Sequence, residues 1–154
     1  MYLYLIQHGE AKSEKEDSAR PLSEKGSRDA RKVASFVSSN TGVAVELIFH
    51  SGKLRAAQTA EIVAEYLKPS KGVSERDGLT PMDDPAIWAK RLETGADLML
   101  VGHLPHLARL ASLLICGNPE AGVINFHMGG IVCLKRDDAQ WSVEWMIAPA
   151  MIKD

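Results

Sequence analysis

Residues 98–117 read LMLVGHLPHLARLASLLICG, and the parsing of this stretch decides the fold. It is apolar over about the length that crosses a bilayer, yet His103, Pro105, His106 and Arg109 interrupt it near the middle. A membrane span would strand those groups in hydrocarbon. A strand over Leu98–Val101, a polar turn at Gly102-His103 and a helix with Leu104, Leu107, Ala108 and Ala111 on one face leave them where water reaches. Gly117 then stops the helix. His106, a few residues along, is expected to face solvent or to stand behind the turn.

The same layout recurs at the N-terminus. Tyr2–Ile6 is a short apolar strand that ends on Gln7-His8-Gly9. It has no basic start, long apolar region or small-residue cleavage site, so it reads as a strand and not as a signal peptide. Ser23 follows Pro21-Leu22 as an N-cap for a helix with Ala30, Val33, Ala34 and Val37 on one face, ending near Asn40–Gly42. A second buried-type strand, Val45–Phe49, runs into HSGKLRAAQTAEIVAEYL, where Ala60, Val63, Ala64 and Leu67 show helical spacing and Pro69 follows as a stop. Residues 70–85 read as loop with a brief strand, Pro85–Glu93 as a short helix, and Ile131–Lys135 with Trp141–Met146 as a closing hairpin around RDDAQ. Trp141, Val143 and Trp145 alternate, which places them on one face of the last strand.

Strand–helix alternation followed by closing strands predicts an α/β fold, a three-layer sandwich with a mostly parallel central sheet and helices on both faces. The 154 residues suit a single domain over 1–154. Formal charge is 18 positive against 20 negative, or −2, with both signs scattered. That balance offers no general field for nucleic acid or an anionic membrane, so any attraction for an anion is local. Cys116 and Cys133 lie in apolar surroundings and match no ligand spacing, which fits two buried thiols in a reduced, cytoplasmic chain. No exposed apolar stripe is left over, so a monomer is expected.

Ligands in open parallel sheets bind beyond the carboxyl ends of the strands. Three polar clusters fall there: Gln7-His8-Gly9, His50-Ser51 leading to Arg55, and Gly102-His103. A histidine at a strand end is most often an ordinary structural residue, and Gly9 is also common punctuation. Two strand ends that pair a histidine with a glycine in one short chain are harder to dismiss. Arg55 stands in the first turns of a helix, where free N–H groups already favour anions and a guanidinium adds a fork that fits phosphate. Ser51 is expected to cap that helix, with Gln58 as polar support nearby. Arg20, in the loop before Pro21, is within reach of the same pocket. A zinc site built from His8, His103 and His106 is the alternative to this anion site. Such sites usually recruit carboxylate or thiolate as well, and Arg20 and Arg55 would repel a dication.

Four segments, LIQHGEA, ARPLSEKG, IFHSGKLRAAQTAEIV and LMLVGHLPHLARL, together resemble the histidine phosphatase superfamily, and within it the small phosphohistidine phosphatases of the SixA type. They occur in the family's order across nearly the whole chain. The resemblance implies a phosphoglycerate mutase-like core without large insertions. It implies His8 as a nucleophile that is phosphorylated and then hydrolysed, with Arg55 and His103 stabilising the phosphoryl group and Arg20 as a further phosphate ligand. Gly9 allows phosphate to approach the backbone closely, and Gln7 is expected to donate hydrogen bonds to it. It implies no metal or organic cofactor, and a phosphohistidine-bearing signalling protein as partner.

The chain departs from the family at Gln7, where an Arg-His-Gly motif would place arginine. A charge-assisted bond exceeds a neutral one by about 1–2 kcal/mol, so exchanging one for the other slows turnover by about five- to thirtyfold. Candidates for a general acid are Glu10, directly after the motif, and Asp77, with Glu75, Asp83 and Asp84 in the same loop. Three functions follow as expectations: a phosphohistidine phosphatase, a pseudo-phosphatase that binds a phosphorylated partner, and a small-molecule phosphomonoesterase of the same fold.

Overall fold

A computed structural model describes residues 1–154, apart from the side chain of Thr94. Its six strands are β1 (Tyr2–Gln7), β2 (Leu47–His50), β3 (Val73–Glu75), β4 (Leu98–Gly102), β5 (Ile131–Asp137) and β6 (Gln140–Ile147). Its four α-helices are α1 (Glu24–Asn40), α2 (Leu54–Leu67), α3 (Pro85–Arg91) and α4 (His106–Cys116). The strands form one sheet in the order β3-β2-β4-β1-β5-β6. The first four run parallel, and β5 and β6 close the sheet antiparallel.

The apolar runs explain the layering. Buried on both faces, β1 and β4 send alternate side chains to opposite sides. Tyr4, Ile6, Met99 and Val101 meet Val33, Ala34 and Val37 of α1 and Ala60 and Val63 of α2. Leu3, Leu5, Leu98 and Leu100 meet Trp88 of α3 and Leu107 and Leu110 of α4. Register then sets the site: Gln7 pairs with Gly102, and His50 with Val101. The residues that follow, His8, His103 and Ser51, therefore leave the sheet at one edge.

Several side chains lie elsewhere than the sequence suggests. His106 is fully buried, because α4 begins at His106 and turns His106, Leu107, Leu110 and Ala111 inward, while Leu104 stays 39% exposed. Trp141 and Trp145 lie on opposite faces, packing against the α3/α4 and α1/α2 layers respectively. A bulge causes this: Cys133 pairs with Trp145 but Leu134 with Val143, so Glu144 is the extra residue that reverses the alternation. Cys133 is buried, but Cys116, the last residue of α4, is exposed. Among the described residues no helix is long and apolar enough to cross a membrane.

Candidate functional site

The site is built where β1, β2 and β4 end. His8 continues the sheet pairing, its N–H bonding the Gly102 carbonyl at 3.0 Å. Its Nδ1–H donates to the Gly9 carbonyl at 2.7 Å, which leaves the Nε2 lone pair free. Burial lowers the His8 pKa below its ordinary 6.5, and the charges of Arg55 and Arg20 act in the same direction, against the Gly9 carbonyl. A neutral imidazole with one open nitrogen is a nucleophile held ready.

The backbone behind it is fixed by contacts that spacing alone does not reveal. The Gly9 N–H donates to Thr59 Oγ1 at 3.0 Å, and the Thr59 hydroxyl donates to the Arg55 carbonyl at 2.8 Å. Thr59, fully buried, thus ties the exit of β1 to α2. The close approach that Gly9 permits is used by α1: a Cβ there would lie 2.8 Å from the Gly26 carbonyl oxygen. Gly26 in turn leaves room for the backbone of Glu10. Only the pairing of two glycines in space makes this crossing possible.

Cations gather at the start of α2. Lys53 occupies its N-cap with no side-chain cap bond, and no acidic residue stands in the first turn. Helix starts normally recruit Ser, Thr, Asp or Asn and acidic neighbours. Here Lys53 and Arg55 reinforce the positive end instead. The Arg55 Nε is buried without a hydrogen-bond partner, and burial, then the charge of Arg20, lower its pKa. Arg20 has φ of +50°, a left-handed conformation uncommon outside glycine. Its N–H bonds the Asp17 carbonyl at 2.9 Å, and its Nε donates to the Lys12 carbonyl at 3.2 Å. Among the described residues neither Arg20 nor Arg55 forms a salt bridge. Two neighbouring guanidiniums without a counter-charge make an anion site.

His103 stands beside His8, ring centroids 5.0 Å apart. Burial first, then the charges of His8, Arg55 and Lys53, hold its pKa down to about 3, so the ring is neutral. Its Nε2 lies 2.6 Å from Ser51 Oγ. Ser51 is therefore not the cap of α2. It is the partner of His103, a role that needed the β2–β4 register to become visible. Gln58 Oε1 accepts the Leu22 N–H at 2.8 Å and so holds the chain just after Arg20.

The candidate acids are placed as follows. Glu10 Oε2 accepts the Ser23 hydroxyl at 2.7 Å, next to the start of α1. Asp77 is paired with Arg91 at 2.9 Å, and that bond holds its carboxyl below the usual range. Asp83 accepts from the Thr80 N–H and hydroxyl, and Asp84 caps α3. Glu75, the last residue of β3, lies against the loop after β2, since a side chain on Gly52 would run into its carboxylate. Gln7 is half-buried; its carbonyl accepts the Gly129 N–H at 2.9 Å, and among the described residues its amide makes no hydrogen bond. His106 is walled into the α4 side with both ring nitrogens unpartnered. Among the described residues no group of three His, Cys, Asp or Glu side chains is placed to hold a metal ion.

The arrangement has counterparts. The sequence profile of the histidine phosphatase superfamily (branch 1) matches residues 3–84. An uncharacterized protein of Picosynechococcus sp. is 35% identical over 149 residues, covering 91% of this chain and 88% of that protein. The phosphohistidine phosphatase SixA of Escherichia coli is 26% identical over 160 residues, covering 99% of this chain and 97% of that one. A solved structure of the protein histidine phosphatase SixA complexed with tungstate superposes with a TM-score of 0.87 at 27% identity, covering 99% of this chain and 100% of that one. The six-stranded sheet with its helices is the phosphoglycerate mutase-like α/β fold.

Proposed function

The chain belongs to the histidine phosphatase superfamily, and from that premise we propose that it removes phosphate from a protein histidine through a phospho-His8 intermediate. The observation that carries the proposal is the neutral His8, its Nε2 open, at the same sheet edge as the uncapped, doubly cationic start of α2. In the first step the Nε2–P bond forms as the substrate's P–N bond breaks, and the departing imidazole takes up a proton from solvent water. Arg55 and Arg20 hold the equatorial oxygens, where charge is greatest. Water then attacks phospho-His8 and returns the free ring with inorganic phosphate.

A protein substrate is supported by likeness to SixA over nearly the full length of both chains. A phosphohistidine leaving group also demands less acid assistance than an alkoxide. That suits a site where Asp77, Asp83 and Asp84 are bound into structure and Glu10 is bonded to Ser23.

The test is phosphate release from a phosphohistidine protein, together with trapping of the enzyme-bound label. The wild-type chain should release phosphate and carry an alkali-stable, acid-labile label on His8. His8→Ala should lose both, by at least about a thousandfold in rate; an active His8→Ala protein would overturn the mechanism. Gln7 supports a second reading, a phosphate-binding protein without turnover. If wild-type release is near zero and Gln7→Arg restores it, that second reading holds. If the wild type turns over and Gln7→Arg gains only about five- to thirtyfold, the enzyme reading holds.

A further inference from the structure

We infer that Ser51 is a positioning residue that fixes the tautomer of His103, and so decides which ring nitrogen offers a proton to an anion at the strand ends. Three contacts carry this. Ser51 Oγ lies 2.6 Å from His103 Nε2, a short bond. The same oxygen accepts the Lys53 N–H at 3.3 Å. His103 Nδ1 is buried and has no partner.

A hydroxyl has a single proton to give. With the Ser51 oxygen accepting from Lys53, that proton is free for the lone pair of Nε2, and the ring proton then belongs on Nδ1. The opposite tautomer would make Ser51 Oγ accept from both Nε2–H and the Lys53 N–H. Its own proton would then be left to solvent alone, since among the described residues no other group is in hydrogen-bond contact with it. The positive end of α2 favours the first arrangement, since Lys53 is the N-cap and its N–H polarises the hydroxyl toward the ring.

The consequence is a neutral ring beside His8 and Arg55 whose one unpartnered donor is the buried Nδ1–H. On the proposed function, that donor would serve the phosphoryl group without adding a third cation to two that already repel. The neighbouring His50 is set the other way. Its Nδ1 accepts the Gly52 N–H at 3.0 Å, so its proton sits on Nε2. One loop, residues 50–53, therefore writes opposite tautomers into two histidines and provides its own internal control.

The experiment is long-range proton–nitrogen NMR on the full chain with labelled histidine, near neutral pH, paired with kinetics on a phosphohistidine protein. Wild-type His103 should show its proton on Nδ1 and His50 on Nε2. Ser51→Ala should move the His103 proton to Nε2 or mix the two forms and leave His50 unchanged. Ser51→Thr should restore the wild-type spectrum. The kinetic arm rests on the proposed function: Ser51→Ala should lower kcat about ten- to hundredfold with KM little changed, and Ser51→Thr should recover it.

A wild-type His103 protonated on Nε2 would overturn the inference, as would a Ser51→Ala protein with an unchanged His103 signature. Should Ser51→Ala not fold, the wild-type and Ser51→Thr spectra decide. Should the wild type release no phosphate, the proposed function falls while the spectra still decide the tautomer.

Discussion

Helices α1 and α2 both start beside the exit of β1, and they are finished in opposite ways. At α1, Ser23 accepts the Gly26 N–H at 3.0 Å, Glu24 stands in the first turn, and Glu10 is bonded to the Ser23 hydroxyl. Each of these choices lowers the energy of the folded chain. At α2 a lysine sits where a cap belongs, an arginine follows two residues later, and no acid compensates. The first helix start is built to hold the chain together. The second gives up part of that stability and keeps its positive end open for an anion.

The sharpest way to break this contrast is Arg55→Gln. If the start of α2 is built for binding, kcat/KM for the phosphorylated substrate should fall by about a hundred- to a thousandfold. The melting temperature should hold or rise, because a buried, partnerless Nε and repulsion from Arg20 are both relieved. A protein that loses stability in step with activity would make Arg55 a structural residue. The same variant should move the acid limb of kcat/KM upward, since Arg55 helps to lower the His8 pKa.

Next in size is the response of stability to acid. His103 is held at about 3, against 6.5 in the unfolded chain. Below 6.5 the unfolded chain therefore binds a proton that the folded chain refuses. Stability is full above 6.5 and falls as the pH drops toward 3, by up to about 1.4 kcal/mol per unit. His8 and His106, also lowered by burial, act in the same direction. Urea unfolding at a series of pH values should show this loss, and His103→Gln should flatten it. An equally steep slope in His103→Gln would place the cost elsewhere.

The contrast also shows how far the chain could be read in advance. The strand ends were legible because buried parallel strands are continuous apolar runs, and Gly102-His103 and Gln7-His8-Gly9 interrupt them abruptly. Ser23 as a cap was legible because capping is local. Ser51 misleads for the same reason: it stands where a cap is expected, and only the pairing of His50 with Val101 brings it to His103. Thr59 and Gly26 gave no signal, since one works through a contact 50 residues away and the other through a helix crossing. His106 failed through phase, because α4 starts two residues later than Leu104 and rotates its buried face. The two tryptophans failed through the bulge at Glu144, an inserted residue that alternation cannot foresee.

On the α1 side, Ser23→Ala should have the reverse signature of Arg55→Gln. It removes the acceptor for the Gly26 N–H and the donor to Glu10, at a cost of about 1 kcal/mol in stability. Activity should stay within about threefold, because a cap of this kind supports the fold alone. Denaturant titration and phosphate release on the same preparation separate the two. A large loss of turnover at unchanged stability would move Glu10 from the fold into the chemistry.

The smallest effect comes from making α2 resemble α1. Lys53→Asp supplies the missing cap oxygen and the acidic neighbour that the helix start lacks, while the backbone N–H that bonds Ser51 remains. Stability should rise by about 0.5–1 kcal/mol. The carboxylate, however, competes for the N–H groups and cancels the positive potential that an incoming phosphate would feel. KM should therefore rise by about three- to tenfold, with a weaker dependence on salt, while kcat changes little. Both shifts are required together. A more stable protein with unchanged KM would mean that the open end of α2 serves no ligand, and that Arg20 and Arg55 alone attract the anion.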